Sequence, residues 1–284
     1  VKTPRAKVFT GEDRDRKAYE LARAYLLDQR LQGVTDELLQ HYLSPPSCLV
    51  PRTMPEVFRR LLESAQNRGM MTTVIGGAVG GLDSLGPVLA DFTPLGVTQR
   101  FASPDDLLDT IVKELRPVGK LRRAPGALWP LFARATLSGA QFLGQFADGP
   151  EFVAWIQEFN LDPRKRAALP LLLSQEIDGF GFALACDFLK ELGFSNFAKP
   201  DVHVKAIIKG LKLSSDAASD YAVFKAVVRI AAHCDRTPYD VDKVFWLVGS
   251  GRFYDHPEIG RKGRIIANRT RFIQEASRVL GATA

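Results

Sequence analysis

At 284 residues the chain is long enough to bury a core without disulfide staples, as one large domain or two closely packed halves. A hydrophobic share of 46% with 25% charged residues excludes a disordered or fibrous chain, and 38 basic against 32 acidic residues leave a net charge of +6. That excess permits a nucleic acid or an acidic membrane surface as partner and names neither. Cys48, Cys186 and Cys234 are too scattered for a zinc or iron-sulfur site, which makes a reducing compartment the simpler expectation. The charged stretch from Lys2 to Lys17 has no secretion-signal pattern, and no run of eighteen apolar residues predicts a membrane span. The classes left are cytosolic or chromosome-associated.

Helices are predicted one after another. From Asp13 to Gln29, Tyr19, Leu21, Ala22, Tyr25 and Leu26 recur at helical spacing, and Gly33 with Thr35 separates them from a second helix ending near Leu43. After the Pro45-Pro46 pair, Thr53 and Pro55 mark the start of a helix to about Gln66 with Val57, Phe58, Leu61 and Leu62 on its apolar side. The short apolar runs of the glycine-rich segment 70–99 suit broken helices or short strands, and the segment is assigned to helices and irregular turns. Ser103-Pro-Asp-Asp caps a helix to about Leu115, and further helices are expected at 128–146, 150–158, 165–176, 181–192, 201–211, 216–234, 240–249 and 261–280. Without βα alternation or repeats, the fold class is all-α.

The segment richest in chemistry runs Ile177-Asp178-Gly179-Phe180-Gly181, followed twenty residues later by Asp201-Val202-His203. Two glycines around one apolar residue allow a tight turn between helices and leave no side chain over its amides. At the start of the next helix those N–H groups suit a phosphate. Asp201 after Pro200 suits a helix cap, a role that is compatible with catalysis.

The apolar-x-Gly-x-Gly turn with its downstream Asp-x-His resembles the helix-hairpin-helix DNA glycosylase superfamily, including its endonuclease III-like members. The resemblance implies that Ile177, Gly179, Phe180 and Gly181 hold the DNA backbone. It puts the catalytic role on Asp201 at the mouth of a base-flipping pocket, and an orienting or structural role on His203. Upstream, Leu62-Glu63-Ser64-Ala65-Gln66-Asn67 resembles the family's early helix end, which implies that Gln66, with Asn67 beside it, fills the gap left by a flipped base. An ordinary polar helix end fits Gln66 as well, and Ser64 is expected to make a local hydrogen bond. The implied fold is a helical glycosylase-like region over 55–284 in two closely packed lobes, with residues 1–54 as a helical extension packed on the core.

One departure sets the chemistry. Where glycosylase-lyases of the family carry a lysine, two residues after the last hairpin glycine, this chain has Ala183, so no Schiff base forms there. The resemblance then implies a monofunctional N-glycosylase of base-excision repair acting as a monomer on double-stranded DNA with a damaged, modified or mismatched base. Its place would be cytoplasmic or nucleoid-associated in a prokaryote and nuclear in a eukaryote. No cofactor and no iron-sulfur cluster are implied, and a monovalent or divalent cation at the hairpin is allowed. Two alternatives stay open: a glycosylase/AP lyase using Lys190, Lys199 or Lys205, and a noncatalytic helix-hairpin-helix DNA-binding protein.

Other features carry less. Basic residues cluster at Lys120, Arg122 and Arg123, at Arg164 to Arg166, and at Arg261, Lys262, Arg264, Arg269 and Arg271; they fit either phosphate contacts or a solvated face. Phe180, Phe182, Tyr239, Trp246, Phe253 and Tyr254 suit core packing or a base-stacking wall. His233, Cys234 and Asp235 are sequence neighbours in a helical run and point apart, which disfavours a metal site. The glycine-rich segment Val74 to Gly81 fits no nucleotide fingerprint and reads as a conformational or close-packing segment.

Overall fold

The computed structural model describes residues 11–29, 32–45, 53–68, 72–266 and 268–281, so Cys48 and the first ten residues lie outside the described ones. The regular structure there is helical, with isolated bridges and no β-strand among the described residues. In chain order come α1 (Gly11–Leu27), α2 (Asp36–Leu43), α3 (Met54–Gln66), α4 (Thr72–Ile75), α5 (Pro94–Arg100), α6 (Pro104–Leu115) and α7 (Leu128–Leu143). They are followed by α8 (Gly149–Asn160), α9 (Ala168–Glu176), α10 (Phe182–Glu191), α11 (Val202–Gly210), α12 (Asp220–His233), α13 (Pro238–Ser250) and α14 (Arg269–Val279). The chain forms two compact units: residues 48–194 make one, and residues 1–47 join 195–284 in the other. The helices expected as an N-terminal extension therefore group with the C-terminal third.

In the 48–194 unit, α3 is the central strut. Thr53 accepts from the Glu56 N–H while the Glu56 carboxylate accepts from the Thr53 N–H, a reciprocal capping box that starts the helix where expected. Its buried face, Val57, Phe58, Leu61, Leu62 and Ala65, packs against α7 and α10. Each large side chain there contributes about 1.5–3 kcal/mol on burial. Gly139 of α7 makes this approach close: a Cβ there would sit 3.1 Å from a Leu61 methyl. Segment 70–99 holds α4, three 3₁₀ turns and α5, in line with its broken helical reading.

In the other unit α13 is central, packed against α1, α2, α11 and α12. Asp15 of α1, 1% exposed, is held by Arg229 of α12 through two bonds of 2.7 and 3.0 Å and by Nδ1 of His233 at 2.8 Å. The Tyr19 hydroxyl donates to Asp240 at 2.5 Å, tying α1 to α13. Several expected boundaries move, among them the end of α7 from 146 to Leu143 and the starts of α9, α12 and α14 from 165, 216 and 261 to Ala168, Asp220 and Arg269. Residues 164–167 form a turn because Asp162 accepts from the Arg164 N–H, delaying α9 to Ala168. Residues 261–266 form a loop and not the start of a helix, since Lys262 (φ +55°) and Gly263 (φ +70°) both turn left-handed.

Candidate functional site

The hairpin residues fall in the 48–194 unit, where α9 and α10 pack together and residues 177–181 turn between them. Gly179 has φ +77°, and a Cβ on it would meet the Leu131 carbonyl oxygen at 2.8 Å, so the turn requires glycine at this position. The Asp178 N–H donates to Ser138 at 2.9 Å, and the Asp178 carboxylate pairs with Arg134 at 3.0 Å, fixing the turn to α7. Gly181 is the N-cap of α10: it is exposed, has no side chain to cap the first turn, and a Cβ there would meet nothing within 4 Å. Ile177 and Phe180 are buried, Phe180 in edge contact with Phe188, so they serve the surface through their backbone alone.

Gln66 and Asn67 belong to the same unit, at the end of α3. The Gln66 side-chain oxygen accepts from the Gly76 N–H at 3.2 Å, anchoring the glycine-rich segment. The Asn67 amide donates to Asp187 of α10 at 3.2 Å. Ser64, expected to make a local hydrogen bond, is buried with its hydroxyl unpartnered among the described residues.

Asp201 and His203 lie in the other unit, at the start of α11. Oδ1 of Asp201 accepts from the His203 and Val204 N–H groups at 2.8 and 2.9 Å, the N-cap expected from Pro200-Asp201. Among the described residues Oδ2 receives no hydrogen bond. Burial pushes the Asp201 carboxyl above the usual range, the nearby Asp242 carboxylate adds to this, and the Val204 N–H, His203 and Lys199 oppose it. Asp242 itself is buried and accepts from the Lys199 N–H at 3.0 Å. The result is a carboxylate positioned by one oxygen, with raised proton affinity.

His203 sits where α11 crosses α13. A Cβ on Gly249 would lie 2.5 Å from the His203 Cβ, so the glycine before Ser250-Gly251 is what admits the imidazole. On the opposite crossing, a Cβ on Gly210 would lie 2.5 Å from Ile273 of α14. Nδ1 of His203 accepts from the Arg269 guanidinium at 3.2 Å. Burial holds the His203 pKa below the ordinary histidine value, with Arg269 and Arg264 adding to it against the Asp201 charge. A neutral ring that holds Arg269 fits a positioning role.

No family model, curated protein or solved structure matches this chain. Its site is therefore read from its own geometry. Among the described residues no group of three metal-ligating side chains occurs, and no helix is long and apolar enough to cross a membrane. His233 is turned to Asp15. Of the aromatic candidates, Phe182, Tyr239 and Phe253 are buried, Trp246 is half-buried beside His203 and Tyr254 is exposed. Sequence reasoning named the arginines after residue 260 only as a charge cluster. Their convergence with His203 on one cavity had no sequence signal beyond that clustering.

Proposed function

We propose that this chain is a monofunctional DNA N-glycosylase acting as a monomer on double-stranded DNA that contains a damaged, modified or mismatched base. The observation that carries the reading is Asp201, held by one oxygen and raised in proton affinity by burial beside Asp242. The bond between C1′ and the base nitrogen breaks, and the base departs with the electron pair and takes a proton from solvent. The carboxylate stabilises the cationic sugar left behind. Water then attacks C1′ and gives a proton to the carboxylate, a step its raised proton affinity favours. The products are the free base and an abasic site. No cofactor enters these steps; a monovalent or divalent cation at the hairpin would help hold a phosphate and take no part in bond breaking.

The exposed α10 N-terminus beneath Gly181 supports the binding half of the reading, since uncapped helical N–H groups favour an anion. Lys190 and Lys205 are ion-paired with Glu191 and Asp220. Lys199 is near enough to lower the Asp201 pKa, which favours it among the lysines for a second reading as a glycosylase-lyase.

The test incubates the protein with duplexes containing uracil, oxidised purines, alkylated purines or mismatches, and measures base release separately from strand cleavage. Base release that Asp201→Asn abolishes is expected. Equal release by that variant refutes the role of Asp201, and binding without release from any duplex makes the chain a noncatalytic DNA-binding protein. A borohydride-trapped adduct that is lost in Lys199→Gln selects the lyase reading.

A further inference from the structure

The 1–47 and 195–284 unit contains a cavity of about 620 Å³ whose lining includes His203, Gly249, Arg261, Arg264, Asn268 and Arg269. Three arginines line it, and among the described residues none of the three is ion-paired with a carboxylate. Arg16, Arg23, Arg229 and Arg271 of the same unit are each paired with an acidic side chain, while Arg14, Arg236, Arg252 and Arg278, outside the cavity lining, are likewise not ion-paired among the described residues. Bringing like charges together without counter-charge is unfavourable in an empty site and becomes favourable when an anion enters.

The wall that carries two of these arginines is tied down by its backbone. Gly260 N–H donates to Gln32 at 2.9 Å, Arg261 N–H to the Arg264 carbonyl at 2.9 Å, Gly263 N–H to Pro257 at 3.0 Å and Ile265 N–H to Gly251 at 2.9 Å. The third arginine, Arg269, is held by His203 and opens the eleven-residue α14, whose positive end faces the same space. Planar guanidinium forks, of which that of Arg269 is held by His203, suit the tetrahedral oxygens of phosphate.

We infer that this cavity is a phosphate-binding site in which Arg261, Arg264 and Arg269 grip one or more phosphate groups beside His203. The inference stands apart from base excision: it concerns where phosphate is held and does not require Asp201 to cleave anything. Two sources supply the chemistry, the backbone of a nucleic acid and a free phosphorylated small molecule. The low proton affinity of His203, to which Arg264 and Arg269 contribute, agrees with a positive potential that a bound phosphate would neutralise.

The experiment uses the full chain, its Arg261→Gln/Arg264→Gln variant, and Arg16→Gln as a control that removes a positive charge outside the cavity. Inorganic pyrophosphate is titrated by calorimetry, and the four histidines are followed by NMR. Expected are binding by the wild type and by Arg16→Gln, a rise of the His203 pKa on saturation, and at least tenfold weaker binding by the double variant with an unchanged circular dichroism spectrum. Affinity for an undamaged 20-base-pair duplex against salt then separates the sources. A loss of about 1.8 in the log–log slope, from two phosphate contacts at about 0.9 each, assigns the site to the DNA backbone. An unchanged slope alongside pyrophosphate binding assigns it to a small phosphorylated ligand. Absence of pyrophosphate binding, or equal binding and an equal His203 response in the double variant, overturns the inference. Should the double variant lose its spectrum, Arg264→Gln alone takes its place, with the same pyrophosphate and His203 readings and an expected slope loss of about 0.9 for one contact.

Discussion

The two hairpin glycines make opposite demands, and replacing each by alanine separates them. Gly179 adopts φ +77° and would place a Cβ 2.8 Å from the Leu131 carbonyl oxygen. The left-handed backbone costs a non-glycine residue about 1–2 kcal/mol, and relieving the overlap by shifting the turn from α7 costs about 1–3 more. Gly179→Ala is therefore expected to lose about 2–5 kcal/mol, a large part of the about 5–15 kcal/mol that holds a typical domain. Gly181 has φ −73° and open space above it. There the weaker N-cap preference of alanine and the reduced freedom of its unfolded chain offset one another to within about 1 kcal/mol. Urea unfolding, with hydrogen exchange of peptides from α7, α9 and α10, reads both. A lowered midpoint and faster exchange are expected for Gly179→Ala alone. Equal stability of the two variants refutes the claim that the turn is built on Gly179. Gly181→Trp should fold and bind duplex DNA more weakly; unchanged affinity counts against a phosphate at the α10 N-terminus.

Asp201 offers a similar separation. Asparagine caps as well as aspartate, and a raised folded pKa means that the ionised carboxylate costs stability as pH rises through it. Asp201→Asn should thus melt no lower than wild type at pH 7 while losing base release, whereas Asp201→Ala loses about 1 kcal/mol with the cap; a lower melting temperature for the asparagine variant contradicts this. Asp15→Ala removes the buried partner of Arg229 and His233 and should cost about 3 kcal/mol in urea, at the low end for a broken buried pair because Arg229 is half exposed. Gly249→Ala must push α13 away from His203 and should cost about 1–3 kcal/mol, seen as a lower melting temperature and a changed His203 resonance. The His203 pKa is depressed, so its contribution is complete above the ordinary value of about 6.5 and is lost as pH falls through the folded value. Urea midpoints at pH 7.5 and 5.5 should converge in His203→Gln, and an undiminished difference would contradict that assignment.

The amino-acid sequence by itself determined what depends on neighbours a turn apart. Thr53 with Glu56, Ser103 before Pro104, and Asp201 after Pro200 act within three residues of themselves, and each caps its helix where the sequence placed it. The all-helical class followed from the same local periodicities. Tertiary structure decided what depends on residues far apart in the chain. Asp15 meets Arg229 and His233 across more than 200 positions, and Gln66 is drawn to the Gly76 N–H ten residues on. Left-handed turns at Lys262 and Gly263 bring Arg261 and Arg264 into the cavity where a longer α14 was expected. Gly249 and Gly210 look alike in sequence to any helix-end glycine, yet each is required by a side chain from another helix. Local propensity fixes which segments are helices. The charge, burial and close approaches that make Asp201 and His203 a candidate site arise only once helices distant in sequence are packed together.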